Sequence, residues 1–427
     1  MRGSSADGAT DPGSTAARPG TQAGRSARAR LARSLRDSGR APSPAVLDAF
    51  ASVPRHLFVP GVAPDAAYAD DALVIKYDAS GVPVSSSSQP AMMAIMLEQL
   101  GLEPGHRVLE IGTGSGYNAA VLAHITGPAG RVVTVDIDQD LVADARDRLV
   151  AAGFPEVTVR CADGGFGAPD AAPFDRVIVT AGAWDIAPAW LDQLGPGGRL
   201  VLPLALRGIQ LSACLRRPGD DRVADHWIAD SAFRCGFVRM AGAFADPAPF
   251  RPIGPSWYAQ ADGDAPLDAA DVAEALAGPA AGARTGVTAA SPDELGDLDL
   301  WLTLTQLDLG RLTVITGEAG GLPPFGGLTA AAPGGPGIAM LAGAAGEISV
   351  RGYGPGGPAL AARLAGLVPD WAGQGRPGTA NLRLSAWPAS TAPRPAPGQV
   401  ILARPNVALA AGWPRPEHWR PEHWPAG

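Results

Sequence analysis

The chain has 427 residues, 46% of them hydrophobic, and a formal net charge of −8. That length accommodates two or three domains with real cores, while the negative balance excludes nucleic acid as the main partner, because no basic field is available to neutralise phosphates. Cys161, Cys214 and Cys235 fit neither a metal-ligand spacing nor a disulfide framework, and neither an apolar run of about 18 residues nor a secretion signal occurs, so the expectation is a cytoplasmic protein with no metal and no membrane contact.

Residues 1–29 are small, polar, rich in arginine and broken by Gly and Pro, which predicts a disordered basic leader. Leu31 and Leu35, then Val46, Leu47 and Phe50 after Pro44, predict two short amphipathic helices separated by Ser38 and Gly39. The stretch PRHLFVP, from Pro54 to Pro60, reads as a helix end and an extended segment that packs Phe58 inward, with His56 a structural histidine. A strand over Ala72–Tyr77 leads to Ser85, Ser86, Ser87, Ser88, Gln89 and Pro90. Pro90 suits the first turn of a helix with Ser88 near its N-cap, and Met92, Met93, Ile95, Met96, Leu97 and Leu100 supply its apolar face. Two readings stay open for that serine run: a cap and loop before a core helix, or backbone N–H groups and a hydroxyl arranged for a carboxylate.

Residues 107–138 read as strand, tight turn, helix, strand and acid. Val108, Leu109 and Ile111 lead into Gly112, Gly114 and Gly116, and a second apolar run, Val132–Val135, stops at Asp136. Glycines at such a turn let a ligand approach the backbone, and a carboxylate ending the second strand can accept hydrogen bonds from both hydroxyls of a ribose. The unit should hold a nucleoside. Its spacing is G-x-G-x-G after Glu110, not the dinucleotide G-x-G-x-x-G. Further on, a strand over Val157–Arg160 leads to Asp163, an acceptor for an adenine amino group. Asp175–Thr180 is a buried strand, Trp184–Leu194 a helix, and Pro196–Gly198 a turn into a strand over Arg199–Pro203. Such alternation predicts an α/β fold with a doubly wound parallel sheet and its ligand at the carboxyl ends of the strands.

Beyond a proline-rich joint at Pro247–Pro255, the pattern gives helices at Pro266–Leu276 and Ala359–Val368 and a mixed apolar segment at Leu298–Leu309. Short strands follow at Leu312–Thr316, Gly337–Leu341, Ile348–Val350, Leu382–Ala386 and Val400–Leu402. These predict an independent C-terminal α+β domain over 246–405. Residues 406–427, with a tandem RPEHW repeat, are expected as a flexible tail.

The glycine turn resembles motif I of S-adenosylmethionine-dependent methyltransferases. Together with PRHLFVP, SSQPAMMAIMLEQL, GHRVLEIGTGSGYNAAVLA, Asp163-Gly164, Pro173–Gly182 and Leu191–Pro203, it makes residues 30–240 resemble the protein-L-isoaspartate (D-aspartate) O-methyltransferases. The resemblance implies a Rossmann-like methyltransferase domain over 30–245 that uses S-adenosylmethionine on a peptide or protein substrate bearing Asp or isoaspartate. It implies that Glu110, Gly112, Thr113, Gly114 and Gly116 serve the methionine and ribose side, Asp136 the ribose, and Asp163 with Gly164 the adenine. It also implies that Ser88 hydrogen-bonds the acceptor carboxylate, that Ser87, Gln89 and Pro90 shape the pocket entrance, and that Leu202 and Pro203 line it. Methyl transfer to an ionised carboxylate needs no general base, so the missing triad does not count against an enzyme.

Two features depart from the family pattern. Where the family closes its domain with R-F-V-P-L-x-G, this chain reads Phe237-Val238-Arg239-Met240, and it continues far beyond. The extended form resembles a branch encoded beside ribosomally made modified peptides, including lanthipeptides and ATP-grasp-linked peptides. That branch methylates an ordinary Asp, whose ester collapses to a succinimide, and the resemblance would make the C-terminal domain a peptide dock. The alternatives are a general isoaspartyl repair enzyme and a non-catalytic peptide-binding scaffold.

Overall fold

The computed structural model describes residues 22–79, 81–218, 225–248, 251–252, 257–262, 269–316, 325–332, 335–343 and 346–413. Helices α1 (Gln22–Asp37), α2 (Pro44–Ser52) and α3 (Pro64–Ala67) precede an antiparallel hairpin of β1 (Leu73–Tyr77) and β2 (Pro83–Ser87). Helix α1 begins inside the stretch expected as a leader over 1–29. Ala27, Leu31 and Leu35 recur every fourth residue and are buried, and that stripe outweighs the polar composition around it. Residues 1–21 lie outside the described residues.

Next come α4 (Pro90–Leu100), β3 (Arg107–Ile111), α5 (Tyr117–Thr126), β4 (Arg131–Asp136), α6 (Gln139–Ala152), β5 (Thr158–Cys161), β6 (Phe174–Val179) and α7 (Pro188–Asp192). Three longer strands follow: β7 (Leu194–Leu206), β8 (Ile209–Arg216) and β9 (Trp227–Cys235). Strands β5, β4, β3, β6 and β7 are parallel neighbours in that order, and β8 and β9 extend the sheet antiparallel. Val108, Ile178 and Val201 face a core built with α1, α2, α4 and α5. Leu109, Ile111, Val177, Val179, Leu200 and Leu202 face the opposite core with Ile186 and Trp190. Burial on both faces is why these strands read as continuous apolar runs. The helix expected over Trp184–Leu194 shrinks to α7, because Pro188 can open a helix and not continue one. Leu194 already pairs with Phe174, so the expected Pro196–Gly198 turn is strand, with Gly197 at φ +68°.

The rest corrects the expected division at 246–405. Strands β10 (Arg251–Pro252) and β11 (Trp257–Asp262), helix α8 (Ala269–Ala277), β12 (Ala281–Ala289), α9 (Pro292–Thr305), β13 (Gly310–Thr316), β14 (Phe325–Ala332), β15 (Gly335–Ala342), β16 (Gly346–Tyr353) and α10 (Gly357–Gly373) build a second unit. Its seven-stranded sheet runs β10-β11-β13-β14-β15-β16-β12, every neighbouring pair antiparallel. The chain then returns to the first sheet. Strand β17 (Arg383–Pro388) pairs with β9 through Ser385 opposite Ile228 and Ala386 opposite Trp227. Beyond it lie β19 (Val407–Gly412) and then the edge strand β18 (Gln399–Ala403), which completes ten strands. The second unit is therefore an insertion between β9 and β17, and β19 occupies part of the expected tail. A short apolar run shows that a strand is buried, not which strand it joins. The RPEHW repeat lies outside the described residues.

Helix α9 is shared by both cores. Leu300 and Leu304 pack on the first sheet, while Leu298, Trp301 and Leu302 pack in the second unit with α10. Arg207, in the β7–β8 turn, donates to the carbonyls of Thr303, at 2.6 Å, and Gln306, at 3.3 Å, tying the end of α9 to the sheet. Among the described residues no helix is long and apolar enough to cross a membrane.

Candidate active site

A cleft opens at the carboxyl ends of β3, β4 and β6. It is lined by Ser85–Ser88, Gly112–Ser115, Asp136–Asp138, Thr180, Ala181 and the crossing segment Phe237–Ala241. Gly112 has φ +100°, donates its N–H to Val135 O at 2.8 Å, and accepts from Thr180 Oγ1 at 2.7 Å. A Cβ at Gly112 would stand 2.5 Å from that hydroxyl. Asp136 is held from the turn it faces: Oδ2 accepts from Gly114 N at 2.9 Å and Oδ1 from Asp138 N at 3.1 Å. Thr113 bonds Thr134 side chain to side chain at 2.7 Å. Gly116 instead opens α5 and abuts Ala145 of α6, outside the cleft.

The serine strand β2 forms the facing wall, and Ser87 Oγ is buried there with no hydrogen-bond partner among the described residues. Gln89 and Pro90 turn away from the cleft. Gln89 is the N-cap residue of α4 in place of Ser88, and its Nε2 donates to Asp70 O at 3.1 Å and Asp70 Oδ2 at 3.2 Å. Asp70 Oδ1 accepts from Ala91 N at 2.7 Å. The helix start that could have received a foreign carboxylate is thus capped by the chain's own.

A family profile described as Protein-L-isoaspartate(D-aspartate) O-methyltransferase matches residues 26–241. A Protein-L-isoaspartate O-methyltransferase of Methanopyrus kandleri is 45% identical over 226 residues, 52% of this chain and 96% of that protein. One from Xanthobacter autotrophicus is 48% identical over 172 residues, 40% of this chain and 72% of that protein. A solved protein-L-isoaspartate O-methyltransferase aligns with 84% of this chain and 96% of its own at 24% identity and a TM-score of 0.48.

This chain belongs to the protein-L-isoaspartate (D-aspartate) O-methyltransferase family. It is an enzyme of the S-adenosylmethionine-dependent methyltransferase class, with an α/β methyltransferase fold and an added β-rich region. The residues present fit that cofactor: Gly112 and Gly114 leave the backbone open, and the buried Asn118 Oδ1 and Ser87 Oγ, on residues that line the cleft, have no hydrogen-bond partner among the described residues.

Of the other residues expected in this methyltransferase's site, Gly164 lines the cleft, whereas Asp163, Leu202, Pro203 and Glu110 are not part of its lining. Asp163, expected at adenine, accepts at Oδ1 from Gly165 N and at Oδ2 from Ala243 N, each at 2.8 Å. It staples the segment after β5 to the crossing segment, whereas its neighbour Gly164 does line the cleft. Leu202 is buried in the core and Pro203 sits in mid-strand opposite Ser212, since β7 runs on to Leu206. Glu110 lies fully buried behind the turn, with Oε1 accepting from Asn118 Nδ2 at 2.7 Å.

Burial pushes the Glu110 carboxyl up to about 7 from 4.5. The folded state therefore holds this proton more tightly than the unfolded chain does, and stability drains away as pH rises from about 4.5 through 7. Glu110→Gln removes a cost on the order of 3 kcal/mol at pH 8. Melting curves at pH 5 and pH 8 should show the variant gaining on the parent only at the higher pH; an equal difference at both would refute the assignment.

Sequence reasoning missed four contributors. Thr180 and Asn118 are ordinary polar residues whose role appears only when β6 and α5 converge on the turn. Lys76, the only lysine in the chain, bonds Asp138 and lies 3.5 Å from Asp140. It pins the β1–β2 hairpin beside the cleft and holds the Asp138 carboxyl below its ordinary range; its solitude was the available signal. Arg55 stands beside His56 in the PRHLFVP stretch, and a charged residue in a run that is otherwise mostly apolar is itself a flag. His56 bonds the Tyr68 hydroxyl through Nδ1 at 2.8 Å.

Proposed function

We propose that the enzyme transfers a methyl group from S-adenosylmethionine to the free carboxylate of an isoaspartyl or D-aspartyl residue in a peptide or protein. The observation that carries this is one cleft, in a member of this family, joining the glycine turn and Asp136 on one wall to the serine strand on the other. When bound, the cofactor supplies an electrophilic methyl group on its sulfonium.

In this reading Asp136, aligned by two backbone N–H groups, accepts from the ribose hydroxyls, and Gly112, Thr113 and Gly114 let the nucleoside approach the backbone. Asn118 faces the methionine ammonium with Glu110 behind it as its hydrogen-bond acceptor, and Gly164 borders the adenine. Ser88 donates to the acceptor carboxylate, with Ser87 beside it. An acceptor of pKa about 4 is already ionised at neutral pH, so the residues align it and exclude water and abstract no proton.

Tailoring of a ribosomally made peptide has less support. The extra length that suggested it builds a unit sharing α9 with the catalytic core, and the chain's last strands complete the catalytic sheet. The matched relatives carry the general isoaspartyl name. Intact-mass spectrometry tests the proposal, with S-adenosylmethionine and a peptide carrying isoaspartate or ordinary Asp at one position. The isoaspartyl form should gain one methyl mass and the ordinary form none; the reverse would restore the tailoring reading.

A further inference from the structure

Arg55 is fully buried, in the single turn that follows α2, and it meets no carboxylate among the described residues. Its guanidinium spans two segments. Nη1 donates to Ala69 O at 3.1 Å, and Nη2 to Asp71 O at 3.1 Å, Ser88 O at 3.0 Å and, more loosely, Ser87 O at 3.4 Å. From the solvent side Asp70 grips Ala91 N and Gln89 Nε2, so the loop 69–71 and the segment 87–91 are fastened at both faces.

Four neutral carbonyls solvate the cation, the Asp70 and Asp71 carboxylates attract it without pairing with it, and burial keeps water from screening the charge. The charge stands directly behind Ser87 and Ser88, whose other side lines the cleft. A planar fork reaching several carbonyls at once is a task for arginine; a lysine offers the same charge with one nitrogen.

We propose that Arg55 is the positioning residue of the methyl-acceptor subsite: it fixes Ser87 and Ser88, and its charge draws the acceptor carboxylate to them. This rests on the isoaspartyl reading above. The field favours a substrate anion at the serine wall; the guanidinium also stands 5.7 Å from the centre of the Tyr117 ring at the start of α5, so titration with the cofactor alone is the control for any effect on the nucleoside wall.

The experiment compares parent, Arg55→Lys, Arg55→Gln and Asp70→Asn in two assays: methylation of an isoaspartyl peptide, and calorimetric titration with S-adenosylmethionine without peptide. The expected result is a KM for peptide raised at least tenfold in Arg55→Gln and less in Arg55→Lys, with cofactor affinity within twofold of the parent in both. Asp70→Asn, on the exposed side, should raise KM in the same sense and keeps the test open if Arg55→Gln does not fold. If cofactor affinity and KM worsen together, or Lys performs no better than Gln, Arg55 is a structural clamp and the proposal is overturned. Unchanged KM in Arg55→Lys and Asp70→Asn beside an active parent overturns it equally. A parent that binds S-adenosylmethionine yet methylates no isoaspartyl peptide overturns the functional reading, and this proposal with it.

Discussion

Ending the chain after Ala245, where the sequence places the boundary of the methyltransferase domain, is expected to give aggregated or unfolded protein and no minimal enzyme. The truncation strips β17 from β9 and leaves the buried Trp227 and Ile228 on a bare sheet edge. It removes Leu300, Leu304, Leu384 and Leu409 from the core they share with Leu200, Leu202 and Leu204. Each such side chain is worth about 2 kcal/mol, so together they approach the whole stability of an ordinary domain, about 5–15 kcal/mol. Buried Asp185 also loses Asn406, whose backbone N and Nδ2 donate to it at 3.0 and 2.7 Å, and Trp184 loses the Arg404 guanidinium above its ring at 4.7 Å. Soluble yield and a circular-dichroism melt decide the matter. A truncated chain that melts cooperatively and binds S-adenosylmethionine would show that the return strands are dispensable.

Gly112→Ala is expected to weaken cofactor binding roughly a hundredfold, about 3 kcal/mol. Part of the loss is strain, since φ +100° is foreign to an L side chain. The rest comes from Thr180, whose hydroxyl lies 2.5 Å from the new methyl and must abandon its bonds to Ile111 O and Gly112 O. Gly116→Ala is the internal control. Its φ is also positive, at +87°, but its neighbour is Ala145 of α6, so it should lower the melting temperature and leave affinity nearly intact. Calorimetric titration separates the two, and an affinity for Gly112→Ala within threefold of the parent would sink the account.

The turn from Ile111 to Gly116, the alternating strands and the serine wall were legible in the sequence, because glycine stereochemistry and apolar periodicity are local. What is not legible there depends on distance. Leu202 and Pro203 were placed at a strand end, yet β7 continues through Leu204 and Leu206 before turning. Nothing near Asp163 in sequence announces Ala243 as its partner. The sequence puts Ser88 near the N-cap of α4, while Gln89 holds that position and Asp70, from an upstream loop, reaches Ala91. The last three strands carry ordinary apolar patterns, and only assembly shows that they finish the first sheet.

That arrangement also sets the order in which the protein can be made. Ile228 and its partner Ser385 are about 150 residues apart, a separation that makes pairing slow. During synthesis the strands through β9 emerge before the second unit and wait, with the open flank of β9 exposed, until β17 has followed that unit out. A nascent chain stalled inside the second unit would present that flank to other chains, so the enzyme's yield in a cell should depend on how quickly translation runs through that unit.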